Sequence, residues 1–456
     1  MTLVSINPST GKEIQSYPEM SEIEVKNILE VASDAQRNWG SANLDFRLNC
    51  VNEMVGVLND SKKELSSLIV NEMGKPVVQA QGEIDKCIWL CSYYLDNAKK
   101  FLADEQIKTK NYNSIITIQP IGLILGIMPW NFPFWQVYRY AIPTILAGNG
   151  AILKHASNVQ GCAIAIQSCF KDAGFPEDIF KNISISGKNV NNIIKDPRIA
   201  AVTITGSTPV GRSVAKIAGE HLKKTVLELG GSDPYLILED ADLDKAVDAC
   251  INGRILNAGQ SCISAKRIIV IKKIYSKILD KLQKILSTKI MGDPFDNVDI
   301  GPMVSKKARD EVHDQVIRSV DAGANLILGG VIPQIEGAFY PITFLAGVEP
   351  GMPAFDEEIF GPVFSLILAN DDDHAIELCN NTPFGLGAAV FTKDIEKGKK
   401  IAKTMIHAGS CFVNDFVKSD PRLPFGGVKE SGYGRELSSY GMMEFVNVKT
   451  IVMSND

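Results

Sequence analysis

Between about residues 114 and 391, short β-branched runs alternate with helical patterns, and this alternation constrains the fold more than any other feature of the chain. Residues 114–118 and 122–127 read as strands. Residues 151–154 precede a helical pattern over 159–173, residues 201–205 precede one over 210–219, and residues 225–229 close the series. Repeated strand–helix–strand units predict a largely parallel, doubly wound α/β sheet. A second series begins near Pro234, with strand-like runs at 235–238, 267–271, 324–328, 364–368 and 388–391, and predicts a second α/β domain. The chain has 456 residues, 45% of them hydrophobic, which is enough to fill more than one core.

The first hundred residues read mostly as helix. Ser21-Glu22-Ile23-Glu24 and Ser61-Lys62-Lys63-Glu64 both have capping-box spacing and are expected to open helices. The second of these should stop near Gly74, with Pro76 just beyond, and a further helical pattern covers 77–102. No internal repeat or low-complexity tract interrupts the chain.

The net charge is −6 and no basic stretch is dense, so neither nucleic acid nor an anionic membrane is expected as a partner. The N-terminus lacks a signal-peptide pattern. The longest apolar run, residues 120–130, is far short of the roughly twenty residues of a membrane helix. The expectation is a soluble, cytoplasmic protein. There are nine cysteines, an odd number, without a CxxC pair, and only five histidines. Neither a disulfide framework nor a metal site is expected. Most of the cysteines read as small buried hydrophobes.

Cys262 stands apart from the other eight. It ends the small-residue turn Asn257-Ala258-Gly259-Gln260-Ser261-Cys262, and Glu228-Leu229-Gly230-Gly231 lies upstream at the end of a strand-like run. A thiol in one loop and a carboxylate in another suit covalent catalysis on a carbonyl carbon. The domain junction falls near Gly230-Gly231, so Glu228 and Cys262 are expected to face each other across a cleft.

Other segments are ambiguous singly. Gly206, Ser207 and Gly211 lie in Thr205-Gly206-Ser207-Thr208-Pro209-Val210-Gly211, which either seats a phosphate on a helix N-terminus or is an ordinary strand–helix turn. Asn131, in Pro129-Trp130-Asn131-Phe132-Pro133, either faces an oxyanion or caps a helix. Lys154 either holds a ribose or phosphate or is solvated at a sheet edge. Glu357-Glu358-Ile359-Phe360-Gly361-Pro362 and the Gly-dense segment 425–436 read as loops.

Together, Pro129 to Pro133, Lys154, Gly206 to Gly211, Glu228 to Gly231, Gly259-Gln260-Ser261-Cys262, Glu358 to Pro362 and Pro424-Phe425-Gly426-Gly427 resemble the aldehyde dehydrogenase superfamily, in its order and over essentially the whole chain. The resemblance implies that Cys262 is the nucleophile and that Asn131 and the Cys262 N–H form an oxyanion hole. Glu228 would activate the water that hydrolyses a thioester, and could help deprotonate the thiol. Lys154 and Glu358 would hold ribose hydroxyls, and Gly206, Ser207 and Gly211 the pyrophosphate turn. Phe360 would pack near the nicotinamide ribose, and Trp130 would be a further cofactor-binding residue.

The resemblance also divides the chain. Residues 1–101 and 121–229 would form a dinucleotide-binding domain, 230–424 a catalytic domain, and 425–444 a return to the cofactor domain. Residues 102–120 and 445–456 would form oligomerisation strands of a homodimer or homotetramer.

Ser157 departs from the Glu that many NAD-preferring relatives carry three residues after the Lys. A Glu there repels a 2′-phosphate and Ser does not, so NADP is the expected cofactor, with NAD as the alternative. Arg139, eight residues after Asn131, sits where succinate-semialdehyde dehydrogenases carry an Arg for the substrate carboxylate; otherwise it is a structural ion pair. Residues 418–427 are also similar to a bacterial group of those enzymes, with Ser419 near the carboxylate. Leu256 stands where some members have a second Arg. Succinate semialdehyde is therefore the expected substrate. A glutarate semialdehyde or broad aliphatic-aldehyde enzyme, a coenzyme A-acylating relative and a non-catalytic structural protein on the same fold are the alternatives.

Overall fold

Two mainly parallel sheets carry the chain. The structure, a computed structural model, describes residues 2–108 and 112–454. Residues 109–111 and 455–456, parts of the expected oligomerisation strands, lie outside the described residues.

The first sheet has six strands in the order Gly432–Tyr433, Lys224–Glu228, Ile199–Thr205, Leu123–Met128, Gly150–His155 and Phe180–Asn182. Only Gly432–Tyr433 runs antiparallel to its neighbour. Alternate residues of each strand enter different cores, as the twofold period of a strand requires. Leu123, Leu125 and Ile127 join Ile152 against the helices Glu22–Ser41, Val190–Lys195 and Thr208–Glu220. Met128, Ala151 and Leu153 face the helices Leu44–Met73, Val77–Phe101, Trp135–Leu146 and Gln160–Asp172. Helices on both faces explain why these strands are apolar throughout. Gly126 lets Tyr140 lie against the sheet, because a Cβ there would come within 2.2 Å of the Tyr140 ring.

The second sheet has seven strands in the order Asn325–Leu328, Thr343–Ala346, Val363–Ala369, Ala265–Ile271, Asp233–Ile237, Gly387–Phe391 and Ser410–Val413. It is parallel except for Asn325–Leu328. Val446–Ser454, Tyr112–Pro120 and Glu105–Lys108 make a separate antiparallel sheet of three strands. Among the described residues, no helix is long and apolar enough to cross a membrane.

Three local readings change. Ser21 forms the expected capping box with Glu24, but Ser61 starts nothing. The helix there runs without a break from Leu44 to Met73, capped by Asn43, and ends at Gly74 with φ of 83°. Leu48, Val51, Met54, Leu58, Leu65 and Ile69 keep one buried stripe through Ser61, and that packing outweighs a local cap signal. Near the N-terminus, Thr2–Ile6 and Glu13–Pro18 pair as a hairpin where helix dominates the sequence reading. Thr343–Ala346 and Ser410–Val413 are strands of four residues, too short for a periodic signal.

Candidate active site

The turn that carries Cys262 is strained and tightly held. Asn257, Ala258 and Gly259 take φ of 56°, 52° and 73° in succession, which L residues adopt only when their surroundings impose it. Gln79 Oε1 accepts from Asn257 N at 2.8 Å, Asn257 Nδ2 donates to Asn131 O at 2.8 Å, and Gln260 Oε1 accepts from Val304 N at 2.9 Å. A Cβ on Gly259 would lie 2.2 Å from Gly361 O, so only glycine fits. Below the turn, Lys266 Nζ donates to Ser261 O (3.0 Å) and Cys262 O (2.7 Å) and pairs with Glu358 at 3.1 Å.

Two cavities meet at Cys262. One, of about 270 Å³, is lined by Trp130, Asn131, Gly206, Ser207, Glu358 and Phe360 among others. The second, of about 280 Å³, reaches Lys86, Trp135, Arg139, Leu256 and Ser419. Gln136 lines both. Cys262 itself is half-buried, whereas of the other cysteines only Cys411 is not fully buried. Burial pushes the Cys262 thiol up to about 12, with Lys266 and then Arg139 acting in the opposite direction.

Asn131 is oriented from both ends of its amide. Its Oδ1 accepts from Gln136 Nε2 at 2.9 Å, and its Nδ2 donates one hydrogen to Gln260 O at 3.0 Å. An amide nitrogen has two hydrogens. One is committed to Gln260, and Asn131 lines the first cavity. Gln136 and Arg139 belong to the helix Trp135–Leu146, which has no capping side chain of its own. Glu83, from the neighbouring helix, accepts from Phe134 N (2.9 Å) and Trp135 N (3.0 Å) instead, and is neutralised by buried Lys75.

Glu228 departs from the expected face-to-face arrangement with Cys262. It ends the strand Lys224–Glu228 but lines neither cavity. Its carboxylate lies under the loop at Gly426, where a Cβ would come within 2.7 Å of Oε1, and both oxygens are buried without a hydrogen bond. Burial first, and the like charge of Glu436 second, hold this carboxyl well above the usual carboxylate range.

Arg139 is 3% exposed; it forms an ion pair with buried Glu436 and donates to Thr205 Oγ1 at 3.2 Å. It therefore has the structural partner that was one of its two readings, while also lining the cavity. Arg139→Ala leaves Glu436 buried without a countercharge. It should destabilise the protein by about 3–5 kcal/mol in denaturant titration, against a smaller loss for Arg139→Lys. Equal stability of Arg139→Ala and the unmodified protein would contradict this.

Among the residues singled out for a dinucleotide, Trp130, Gly206, Ser207, Glu358 and Phe360 share the 270 Å³ cleft. The Ser207 hydroxyl is not used as a cap at the start of the helix Thr208–Glu220, and Trp130 meets Phe360 edge to face at 5.8 Å. Gly211 plays a packing part: a Cβ there would lie 2.4 Å from Leu229. Lys154, at the end of its strand, and Ser157, in the following turn, lie outside the lining of the cleft. Sequence reasoning missed Gln136, Lys266 and Lys86. They come from three separate segments, and only the fold brings them to the same site.

The fold and this site define an aldehyde dehydrogenase: residues 1–451 match the Aldehyde dehydrogenase family, and the chain belongs to it. Its relatives include the succinate semialdehyde dehydrogenase (NAD(P)+) Sad of Escherichia coli (strain K12), 44% identical over 98% of this chain and 97% of that protein. The probable succinate-semialdehyde dehydrogenase (NADP+) of Synechocystis sp. is 43% identical, covering 99% of each. A crystal structure of succinic semialdehyde dehydrogenase from Streptococcus pyogenes in complex with NADP+ superposes with a TM-score of 0.97, at 36% identity over 99% of this chain and 100% of that one.

Proposed function

We propose that the protein oxidises succinate semialdehyde to succinate, with NADP in preference to NAD. The observation that carries this reading is the cavity that starts at the Cys262 thiol and reaches Arg139, Ser419 and Lys86. An aldehyde placed at the sulfur would thus have basic and hydroxyl groups for a distal carboxylate.

Cys262 Sγ attacks the aldehyde carbon and gives a thiohemiacetal. The free Nδ2–H of Asn131, with the Cys262 N–H, stabilises the developing oxyanion. The cleft fits a dinucleotide: Gly206 leaves it open, Ser207 has a free hydroxyl at a helix start, and Glu358 and Phe360 border it. Bound NADP or NAD would supply the hydride acceptor. Loss of hydride leaves a thioester on Cys262. Glu228, swung from its place beside Gly426, takes a proton from the water that hydrolyses it. Lys154 and Ser157 are assigned to the adenosine ribose and its 2′-phosphate, and Gly211 to the packing of the phosphate-binding helix.

We assign the six-stranded sheet and its helices to the dinucleotide domain (residues 1–101 and 121–229), with 230–424 catalytic and 425–444 returning. The pairing of Gly432–Tyr433 with Lys224–Glu228 supports this division. We assign the three-stranded sheet to assembly of a homodimer or homotetramer. Val448, Ile451, Val452 and Met453 are exposed on its outer strand, an edge that a partner would cover. Nine unpaired thiols suit the cytoplasm.

Ser157→Glu tests the cofactor assignment. It should move the NADP/NAD ratio of kcat/KM toward NAD by about tenfold or more, since a carboxylate accepts from a 2′-hydroxyl and repels a 2′-phosphate. An unchanged ratio, or an unmodified enzyme that prefers NAD, would contradict it.

A further inference from the structure

Leu256 places an apolar, exposed side chain on the cavity wall, and no cation close to Cys262 in sequence lines this cavity. A different segment supplies one. Gln79, Gly82, Glu83 and Lys86 occupy one face of the helix Val77–Phe101 and all line the cavity. Glu83 is committed to Lys75 and to the start of the next helix. Lys86 is not neutralised in that way. Its Nζ donates to Ser419 Oγ at 2.7 Å and sits 4.5 Å from the centre of the Trp135 ring.

We infer that Lys86 is a substrate-binding residue that, with Arg139 and Ser419, holds the distal carboxylate of the aldehyde and sets the preference for acidic over neutral substrates. This rests on the proposed oxidation of succinate semialdehyde. Three features carry it. An ammonium has three donor hydrogens, and Ser419 uses one. Because Ser419 Oγ accepts from Lys86, its own hydroxyl hydrogen is free to donate to a carboxylate. Arg139 is already balanced by Glu436, so Lys86 brings the charge that an incoming carboxylate would neutralise.

The groups around Lys86 are Arg139 and Trp135 from one helix, Glu83 and Cys87 from its own, and Ser419 and Asp420 from the loop opposite. Asp420 is itself bound to Arg422. Burial first, and Arg139 second, bring Lys86 down to about 8. Lys86 is therefore charged below that pH and loses its charge above it, so selectivity for an acidic aldehyde falls as pH rises through this value.

The test compares kcat/KM for succinate semialdehyde and for butanal, with NADP+, in the unmodified enzyme, Lys86→Met and Lys86→Arg. Lys86→Met should raise KM for succinate semialdehyde about ten- to a hundredfold, with kcat and the butanal constants little changed. Lys86→Arg should restore most of the loss. The ratio of the two kcat/KM values should fall above about pH 8 in the unmodified enzyme and stay level in Lys86→Arg, since Cys262 and Glu228 act on both substrates and cancel. If the unmodified enzyme prefers succinate semialdehyde and Lys86→Met keeps that preference, the inference about Lys86 is overturned and the substrate assignment stands. If Lys86→Met slows both aldehydes equally, Lys86 only supports the fold and the inference is likewise overturned. If the unmodified enzyme shows no preference, the substrate assignment itself has failed.

Discussion

Cys262→Ala forms no measurable NADPH from succinate semialdehyde, a loss on the order of 10⁶-fold, the scale of deleting a covalent nucleophile. The change is local. Alanine fits the turn, whose geometry is held by Asn257, Gly259 and Gln260 rather than by the sulfur. No other thiol can stand in. None of the other eight cysteines lines either cavity. Cofactor binding, read by fluorescence titration with NADPH, should survive and so distinguish loss of chemistry from loss of fold. Turnover by the alanine variant would refute the assignment.

Glu228→Gln should lower steady-state turnover by about 10²–10⁴-fold, the usual contribution of a general base, while leaving a first-turnover burst of NADPH. The burst persists because hydride loss precedes hydrolysis. Folding should survive, since neither oxygen of Glu228 has a hydrogen bond to lose and Gln removes its repulsion with Glu436. The sign of the pH dependence follows from burial. The Glu228 carboxyl is held above the ordinary range, so it carries a proton at low pH, and hydrolysis accelerates as pH rises and the proton leaves. The Gln variant should lack that limb. Loss of the burst together with turnover would mean that Glu228 is needed before the thioester forms. An unaffected rate would remove it from the mechanism.

The paired α/β architecture was legible because parallel strands buried on both faces leave continuous apolar runs, as at Ile124, Ile204 and Ile269, each fully buried. Cys262 stood out because it closes a small-residue turn, whereas Asn131 and the Gly206-Ser207 turn were ambiguous singly and were picked out only by the resemblance of the whole set of motifs. Ser61 misled because a cap motif is local, while the stripe from Leu48 to Ile69 spans it. The ion pair of Arg139 with Glu436 joins segments about 300 residues apart, and no local pattern reports it. The position of Glu228 under Gly426 depends on a loop about 200 residues further along the chain, which no local pattern reports. Lys86 reads as a solvated helix charge until Ser419 and Trp135 are brought against it.

The central claim is that Cys262 carries the acyl group of succinate semialdehyde. Mass spectrometry of Glu228→Gln, quenched in acid after mixing with succinate semialdehyde and NADP+, tests it most directly. The account predicts one succinyl group per chain, on the peptide that contains Cys262 and absent without NADP+. A succinyl group on another residue, or a burst of NADPH with no acylated peptide, would contradict it.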